Sequence, residues 1–213
     1  MMSRHSVVCY AQLAMRTFVA LDLDSAIRER ILAFIQEVRN YAPDARWMSS
    51  ESLHVTVKFI GEQPDAMVHR IETSLRTMHS GPFQLGFSGC GFFPTPRAAR
   101  VFWVGIQADD TLGKLARMID DSLEKLGIAK ENRIFSPHLT LARARGSSGA
   151  PGRRKGDKPN RQFGKLQDFL AKRPAPEFGS MTAREFFLYR SQLSSQGSQY
   201  TKIAAFNLEG STT

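Results

Sequence analysis

Two short segments of the sequence carry the same pair of polar residue types on an otherwise apolar stretch. His54 and Thr56 are separated by a valine, and His138 and Thr140 are separated by a leucine. The β-branched and aliphatic neighbours predict that each segment is a β-strand, in which successive side chains point to opposite faces. Each strand therefore offers an imidazole and a hydroxyl on one face and turns its aliphatic residues into a core.

The chemistry that suits this pair of motifs is proton transfer. Imidazole titrates near neutral pH, so two histidines facing one cleft can act as general base and general acid. One ring would take a proton from a nucleophile and the other would give one to a leaving oxygen, as an in-line displacement at phosphorus requires. The hydroxyls of Thr56 and Thr140 could donate hydrogen bonds to the developing negative charge. The residues alone leave open which histidine is the acid.

Two basic residues near the motifs could add positive charge to this site. Lys58 has the same parity as His54 and is expected to face the cleft if the first strand continues. Arg143 has the opposite parity to His138, so it reaches the site only if the second strand bends or ends near Ala142.

Metal binding is the competing use of two histidines. Neutral imidazoles without a nearby Cys, Asp or Glu make a poor metal site, and His-x-Thr offers no carboxylate. The sequence therefore predicts neither a metal nor another cofactor.

The motif recurs with an offset of 84 residues, and the recurrence extends beyond it. The same shift aligns apolar residues of strand-like and helical patterns: Phe18 with Phe102, Ile31 with Leu115, and Ile35 with Ile119. Each half therefore reads strand, helix, strand, with His-x-Thr on the last strand. The predicted fold class is α+β, with two pseudo-symmetric strand–helix–strand lobes whose antiparallel sheets flank a central cleft.

Patterning elsewhere predicts the remaining elements. The first strand covers Thr17–Leu23, Gly61 closes the first His-x-Thr strand, and a helix begins at Pro64–Asp65. Further elements are a bulged strand at Phe83–Phe93, a short helix at about Phe163–Ala171, and strands at Glu185–Gln192 and Tyr200–Leu208.

Length and composition are those of an ordinary globular protein of 213 residues. We expect one two-lobed domain over residues 15–213, with Met15 as the natural start and residues 1–14 as a disordered extension. Cys9 and Cys90 are the only cysteines, so there is no disulfide framework, and a reducing, cytoplasmic location fits best. No apolar run approaches the length of a transmembrane helix.

The net charge of +9 is concentrated in one segment. Residues 143–173 hold ten Lys or Arg against two Asp, which leaves a net charge of +1 for the rest of the chain. Within this segment, residues at about 144–161 are rich in Gly and Pro and are predicted to form a basic insert. Such a block favours an anionic partner, nucleic acid first, although a solvated loop remains open as the alternative.

With these motifs in view, the sequence resembles the 2H phosphoesterase superfamily, and within it the RNA 2′,3′-cyclic phosphodiesterases, historically called 2′-5′ RNA ligases. The resemblance runs from about Met15 to Leu208. Besides the two motifs it rests on the segments 16–21, 57–62, 91–94 and 188–191. The extension before Met15 and the basic insert depart from the family pattern.

The resemblance implies hydrolysis of a 2′,3′-cyclic phosphate at an RNA end to a 2′-phosphate, without metal. It implies that His138 is the general base and His54 the general acid, with Thr56, Thr140 and Arg143 holding the phosphate. Reversal of related chemistry would join 2′-5′ ends. The expected partner is RNA with a cyclic phosphate end, with no membrane and no obligate protein partner. The alternative is a non-catalytic RNA-binding module that uses the basic insert.

Overall fold

The computed structural model describes residues 14–146, 159–194 and 197–209. Residues 1–13 of the predicted extension and residues 147–158 of the predicted insert lie outside this part of the chain. Within it the elements follow in the order β1 (Met15–Leu21), α1 (Ser25–Val38), β2 (Arg46–Trp47), β3 (Val55–Gln63), α2 (Asp65–Arg76), β4 (Phe83–Phe93), β5 (Val101–Ala108), α3 (Asp110–Glu124), β6 (His138–Arg143), α4 (Gly164–Leu170), β7 (Glu177–Ala183), β8 (Glu185–Ser194) and β9 (Gly197–Asn207).

One antiparallel sheet runs through both halves of the molecule. The strand order is β7-β4-β5-β6-β3-β1-β8-β9, with the short β2 pairing to β6. The two predicted units, β1–α1–β3 and β5–α3–β6, meet where β3 pairs with β6 through Val55 and Leu139. The predicted α+β class with two related lobes is confirmed, and the lobes are joined at the strands that carry the histidine motifs.

The long helices interlock the two halves. Helix α1 follows β1 along the chain but contacts β7, which belongs to the other half of the sheet, and Arg30 donates a hydrogen bond of 2.9 Å to the carbonyl oxygen of Phe178 there. Helix α3 follows β5 and contacts β3. Each helix buries one apolar face: Ile27, Ile31, Ile35 and Val38 on α1, and Leu112, Leu115, Ile119 and Leu123 on α3.

Two local predictions about strands are corrected by the structure. Strand β3 does not end at Gly61 but continues to Gln63, because Gly61 takes a positive φ of 88° at a register shift against β1 and lets the strand pass through a bulge. Strand β7 was not predicted at all. Its alternation is interrupted at Gly179, whose φ is 93°, so the apolar residues Phe178 and Met181 do not follow a simple period of two.

No helix in the described part of the chain is long and apolar enough to cross a membrane.

Gly179→Ala should destabilise the protein. An L-residue at this φ costs about 1–2 kcal/mol, and the added Cβ would collide with the Arg30 guanidinium that holds the Phe178 carbonyl. Gly164→Ala is the matched control, because a Cβ there meets no atom within 4 Å and alanine is the better helix former in α4. Chemical denaturation should show a lower free energy of unfolding for the first variant only, and equal values would contradict the strained backbone at Gly179.

Candidate active site

The two histidines of the motifs are held in the same way. The Nδ1 atom of His54 lies 2.9 Å from the carbonyl oxygen of Ser52, and that of His138 lies 2.8 Å from the carbonyl oxygen of Ser136. A carbonyl oxygen can only accept a hydrogen bond, so Nδ1 carries the hydrogen in both rings. Each Nε2 is therefore the nitrogen that can exchange a proton with a ligand.

The sheet register brings each histidine opposite the other motif. Because Val55 pairs with Leu139 in an antiparallel ladder, His54 is placed opposite Thr140 and Thr56 opposite His138. Side chains opposite each other across such a pair have Cβ atoms roughly 5 Å apart. The pairing thus gathers two imidazoles and two hydroxyls into one patch, as the sequence predicted.

The environment keeps both imidazoles neutral at neutral pH. The pKa of His54 is lowered from 6.5 to about 4, mainly by burial and also by nearby Arg143, against the opposing effect of its hydrogen bond to the Ser52 carbonyl. Burial and Arg143 also lower the pKa of His138. Arg143 acts on both rings, which places its charge within reach of both.

Aromatic side chains enclose the His54 ring. The ring centroids of Phe18 and Tyr200 lie 4.8 and 5.0 Å from that of His54, and the centroid of Tyr189 lies 6.0 Å away. On the other side, Phe93 meets His138 edge-on at 5.0 Å. Sequence reasoning assigned no role to Tyr200, because only the pairing of β9 with β8, and of β8 with β1, brings it beside His54.

Arg143 reaches the site because β6 contains a bulge. Phe102 pairs with Ala142 and Trp103 pairs with Thr140, so one extra residue of β6 is inserted between these pairs. As a result Leu141 and Ala142 are both buried, and Arg143 returns to the side of Thr140. This is the bend that the sequence required for Arg143 to act. Burial lowers the pKa of Arg143, but an arginine side chain remains charged.

The same bulge occurs 84 residues earlier in β3 and shifts the position of Lys58 relative to His54. Val19 pairs with Lys58 and Ala20 with Thr56, so Val57 is the inserted residue. Lys58 is therefore out of the alternation that His54 begins and is only 3% exposed, and Phe59 takes the position that corresponds to Arg143.

The Lys58 ammonium binds instead to groups beside α3. It pairs with the Asp120 carboxylate and donates a hydrogen bond of 2.7 Å to the carbonyl oxygen of Ala129. Asp120 also accepts a hydrogen bond of 3.2 Å from the Glu131 backbone amide. Lys58 and Asp120 together fasten the start of the segment 129–137, whose Ser136 carbonyl orients His138.

A cavity of about 670 Å³ opens beside the two motifs. It lies between β3, α3 and residues 131–136, and both Thr56 and His138 contribute to its wall. A ligand at the His–Thr patch therefore has space beside it for a further group.

The predicted basic insert begins next to Arg143. Its start is fixed to the chain that follows its end, since Ala144 donates a backbone hydrogen bond to the carbonyl oxygen of Arg100, and Arg145 and Gln162 bond to each other in both directions at 2.8 and 3.4 Å. Arg153, Arg154, Lys155 and Lys158, the basic residues of the insert that would meet an anionic partner, lie outside the described residues. Within those residues, no group of three or more His, Cys, Asp or Glu side chains could hold a metal ion.

Comparison with known proteins places this site in a family. Residues 21–103 match the model of the LigT-like phosphoesterases. The chain is 33% identical to the RNA 2′,3′-cyclic phosphodiesterase of Methanothermobacter thermautotrophicus, over 91% of this chain and 98% of that protein. This chain belongs to the LigT-like phosphoesterase family. The resemblance predicted from the two motifs is thereby confirmed.

Further matches agree with this assignment. The RNA 2′,3′-cyclic phosphodiesterase of Archaeoglobus fulgidus is 31% identical over 90% of this phosphoesterase and 99% of its own length. The crystal structure of TT0787 of Thermus thermophilus has a TM-score of 0.72 at 25% identity and covers 92% of this chain and 100% of that one. Escherichia coli LigT complexed with 3′-AMP has the same fold, with a TM-score of 0.70 at 24% identity over 92% of this chain and 98% of that one.

The two histidines of the phosphoesterase should titrate below the ordinary value of 6.5. Burial disfavours the imidazolium, so the ring-proton resonance of His54 in an NMR titration should shift at about pH 4, with His138 also below 6.5. The unfolded chain binds these protons near pH 6.5, so the stability that neutral His54 provides is full above that pH and is lost as pH falls through about 4. The His54→Gln variant assigns the resonance. A titration of His54 near 6.5 would contradict the buried, Arg143-facing ring.

Lys58→Met should destabilise the phosphoesterase strongly. Removing one partner of a buried ion pair typically costs about 3–5 kcal/mol, since the Asp120 carboxylate is left without its cation. Lys130→Met removes the same side chain from an exposed pairing with Asp121 and Glu124 on the same helix and should change little. Urea unfolding compares the two, and equal losses would show that the Lys58 ammonium is not needed to hold residues 129–137.

Proposed function

We propose that His54 and His138 hydrolyse the 2′,3′-cyclic phosphate of an RNA end to a 2′-phosphate by acid–base catalysis without metal. As a member of this family the protein is a hydrolase of RNA 2′,3′-cyclic phosphodiesters. The observation that supports the two-histidine mechanism is the identical anchoring of both Nδ1 atoms, which leaves two Nε2 atoms with one guanidinium acting on both rings.

In the proposed step the site takes up one proton at His138 and gives up one proton from His54. His138 Nε2 takes a proton from water as the water oxygen bonds to phosphorus, the bond between phosphorus and O3′ breaks, and His54 Nε2 gives its proton to O3′. Thr56 and Thr140 donate hydrogen bonds to the phosphoryl oxygens, and Arg143 neutralises the charge that develops on them.

The low pKa of His54 is compatible with its role as the acid. In the free protein the pKa of His54 is about 4, so the ring is neutral at pH 7. A bound phosphodiester brings a negative charge next to the ring and pairs with Arg143, and both changes favour the imidazolium. Binding of the substrate thus promotes protonation of His54, which is the form that acts as the acid.

Two finer predictions stay proposals. Direct binding of phosphate by Lys58 would require its ammonium to leave Asp120 and the Ala129 carbonyl. Joining of 2′-5′ ends would follow the same path if the 5′-hydroxyl of a second RNA, in place of water, attacked the cyclic phosphate. The cytoplasmic location also stays a prediction.

Removing either histidine should slow hydrolysis of adenosine 2′,3′-cyclic phosphate by about 10²–10⁴-fold, the usual contribution of a general acid or base. The rate of the unaltered enzyme should be the same in excess chelator. His69→Ala is the control, because that histidine is exposed on α2. A near-normal rate of His138→Ala, or no turnover by the unaltered enzyme, would contradict the mechanism, and the latter would favour the non-catalytic RNA-binding alternative.

A substrate with sulfur in place of O3′ separates the two roles. A thiolate leaves without being protonated, so the defect of His54→Ala should shrink on this substrate, while that of His138→Ala should persist. The opposite pattern would exchange the acid and the base.

A further inference from the structure

The carbonyl oxygen that orients His54 belongs to a short 3₁₀ turn at Ser50–Ser52. Its own backbone hydrogen bonds run from Ser52 and Leu53 to carbonyl oxygens three residues earlier, at 3.0 and 3.3 Å. An isolated turn of this kind has poor hydrogen-bond geometry, so other contacts must fix its position. The direction of the His54 Nε2 atom therefore depends on whatever holds this turn.

Arg28 of α1 holds the turn from the side. Its guanidinium donates a hydrogen bond to the carbonyl oxygen of Ser50 and another to the carboxylate of Asp22. It also donates one of 3.3 Å to the carbonyl oxygen of Leu23. A planar guanidinium presents its donors in fixed directions, so these acceptors together define where the group lies. Arg28 therefore ties the turn to the chain that leaves β1.

Asp22 is itself held in place and charged. Its carboxylate accepts a hydrogen bond of 2.8 Å from the Leu23 backbone amide and pairs with the Lys202 ammonium at 2.6 Å. Burial opposes ionisation of Asp22, but the bonds to Lys202 and Leu23 outweigh it and lower the pKa of this carboxyl. Asp22 is therefore a carboxylate at neutral pH and can anchor the Arg28 guanidinium.

The charge of Asp22 also acts on the His54 ring. It raises the pKa of His54, whereas burial and the charges of Arg143 and His138 lower it. A general acid must carry its proton in order to act, so a nearby carboxylate favours the reactive form.

The other half of the molecule holds His138 by the same kind of arrangement, with different residues. There the Lys58 ammonium pairs with Asp120 and donates to the Ala129 carbonyl oxygen, at the start of the segment that orients His138. In each half, a cation paired with a carboxylate grips a carbonyl oxygen of the chain that leads into the histidine strand.

We propose that Arg28 and Asp22 are positioning residues for His54, which hold the Ser50–Ser52 turn so that His54 Nε2 reaches the leaving oxygen. The inference rests on the proposed function, in which His54 is the acid. A cavity of about 480 Å³ reaches Arg28, Ser50 and Tyr200, so direct contact between Arg28 and the substrate is the alternative that the test must separate.

Arg28→Met should lower kcat for adenosine 2′,3′-cyclic phosphate by roughly 10- to 100-fold and leave KM nearly unchanged, since misplacing a reacting group by about 1 Å can cost about 10²-fold. The defect should shrink on the substrate with sulfur in place of O3′, as that of His54→Ala does, because a thiolate leaves without the acid that Arg28 positions. Arg28→Lys should lose less, since an ammonium can still donate to Ser50 and Asp22.

Arg173→Met is the matched control. It removes an arginine from an ion pair with Glu37, at the other end of α1, and should leave kcat on both substrates unchanged. Asp22→Asn keeps the size of the side chain and tests the same role if Arg28→Met fails to fold. It should show the same dependence on the leaving atom with a smaller loss of kcat.

Three results would overturn the positioning role while His54→Ala still responds to the leaving atom. They are a normal kcat in Arg28→Met and Asp22→Asn, a defect of equal size on both substrates, and a raised KM with unchanged kcat. If His54→Ala itself shows no dependence on the leaving atom, the proposed acid fails and the positioning role fails with it.

Discussion

The site depends on the pairing of β3 with β6 through Val55 and Leu139. These residues are fully buried, and each is flanked by the polar residues of its motif. The pairing therefore does two things at once: it joins the halves of the sheet, and it fixes the distance between two groups that are 84 residues apart in sequence. A shift of this register by one residue would turn one motif to the opposite face of the sheet. The hydrophobic contacts that close the sheet are thus the same contacts that assemble the proposed catalytic groups.

The buried patch around the two histidines holds one permanent positive charge, that of Arg143. Both imidazoles are neutral in the free protein, whereas Arg143 stays positive beside them. The net charge of the patch is therefore positive before any ligand arrives, and an anion is the partner that compensates it. The enclosing rings of Phe18, Tyr189 and Tyr200 exclude water from His54, which strengthens every electrostatic interaction at that end of the site.

The sequence predicted the elements and the motifs better than their exact orientation. Alternation and helical periodicity report which residues are buried, and these identified α1, α3 and both histidine strands. A strict period of two could not place Lys58 and Arg143, because a bulge in each strand shifts the parity by one residue. The adjacent apolar pair Leu141 and Ala142 was the available signal for the second bulge. Other features depend on contacts between distant residues, such as the packing of α1 on β7 and the position of Tyr200 beside His54, and local patterns do not encode them.

Two hydrogen bonds between Arg145 and Gln162 close off the segment between these residues from β6, which ends at Arg143. Because the two residues hold each other, and Ala144 is tied to Arg100, the position of Arg143 is set before the chain leaves the sheet. Loop-closure entropy grows only slowly with length, so segments of different length can be accommodated between fixed ends at small cost. The junction is therefore a natural point for exchange: the residues between 145 and 162 can be replaced or changed in number without moving the backbone at Arg143.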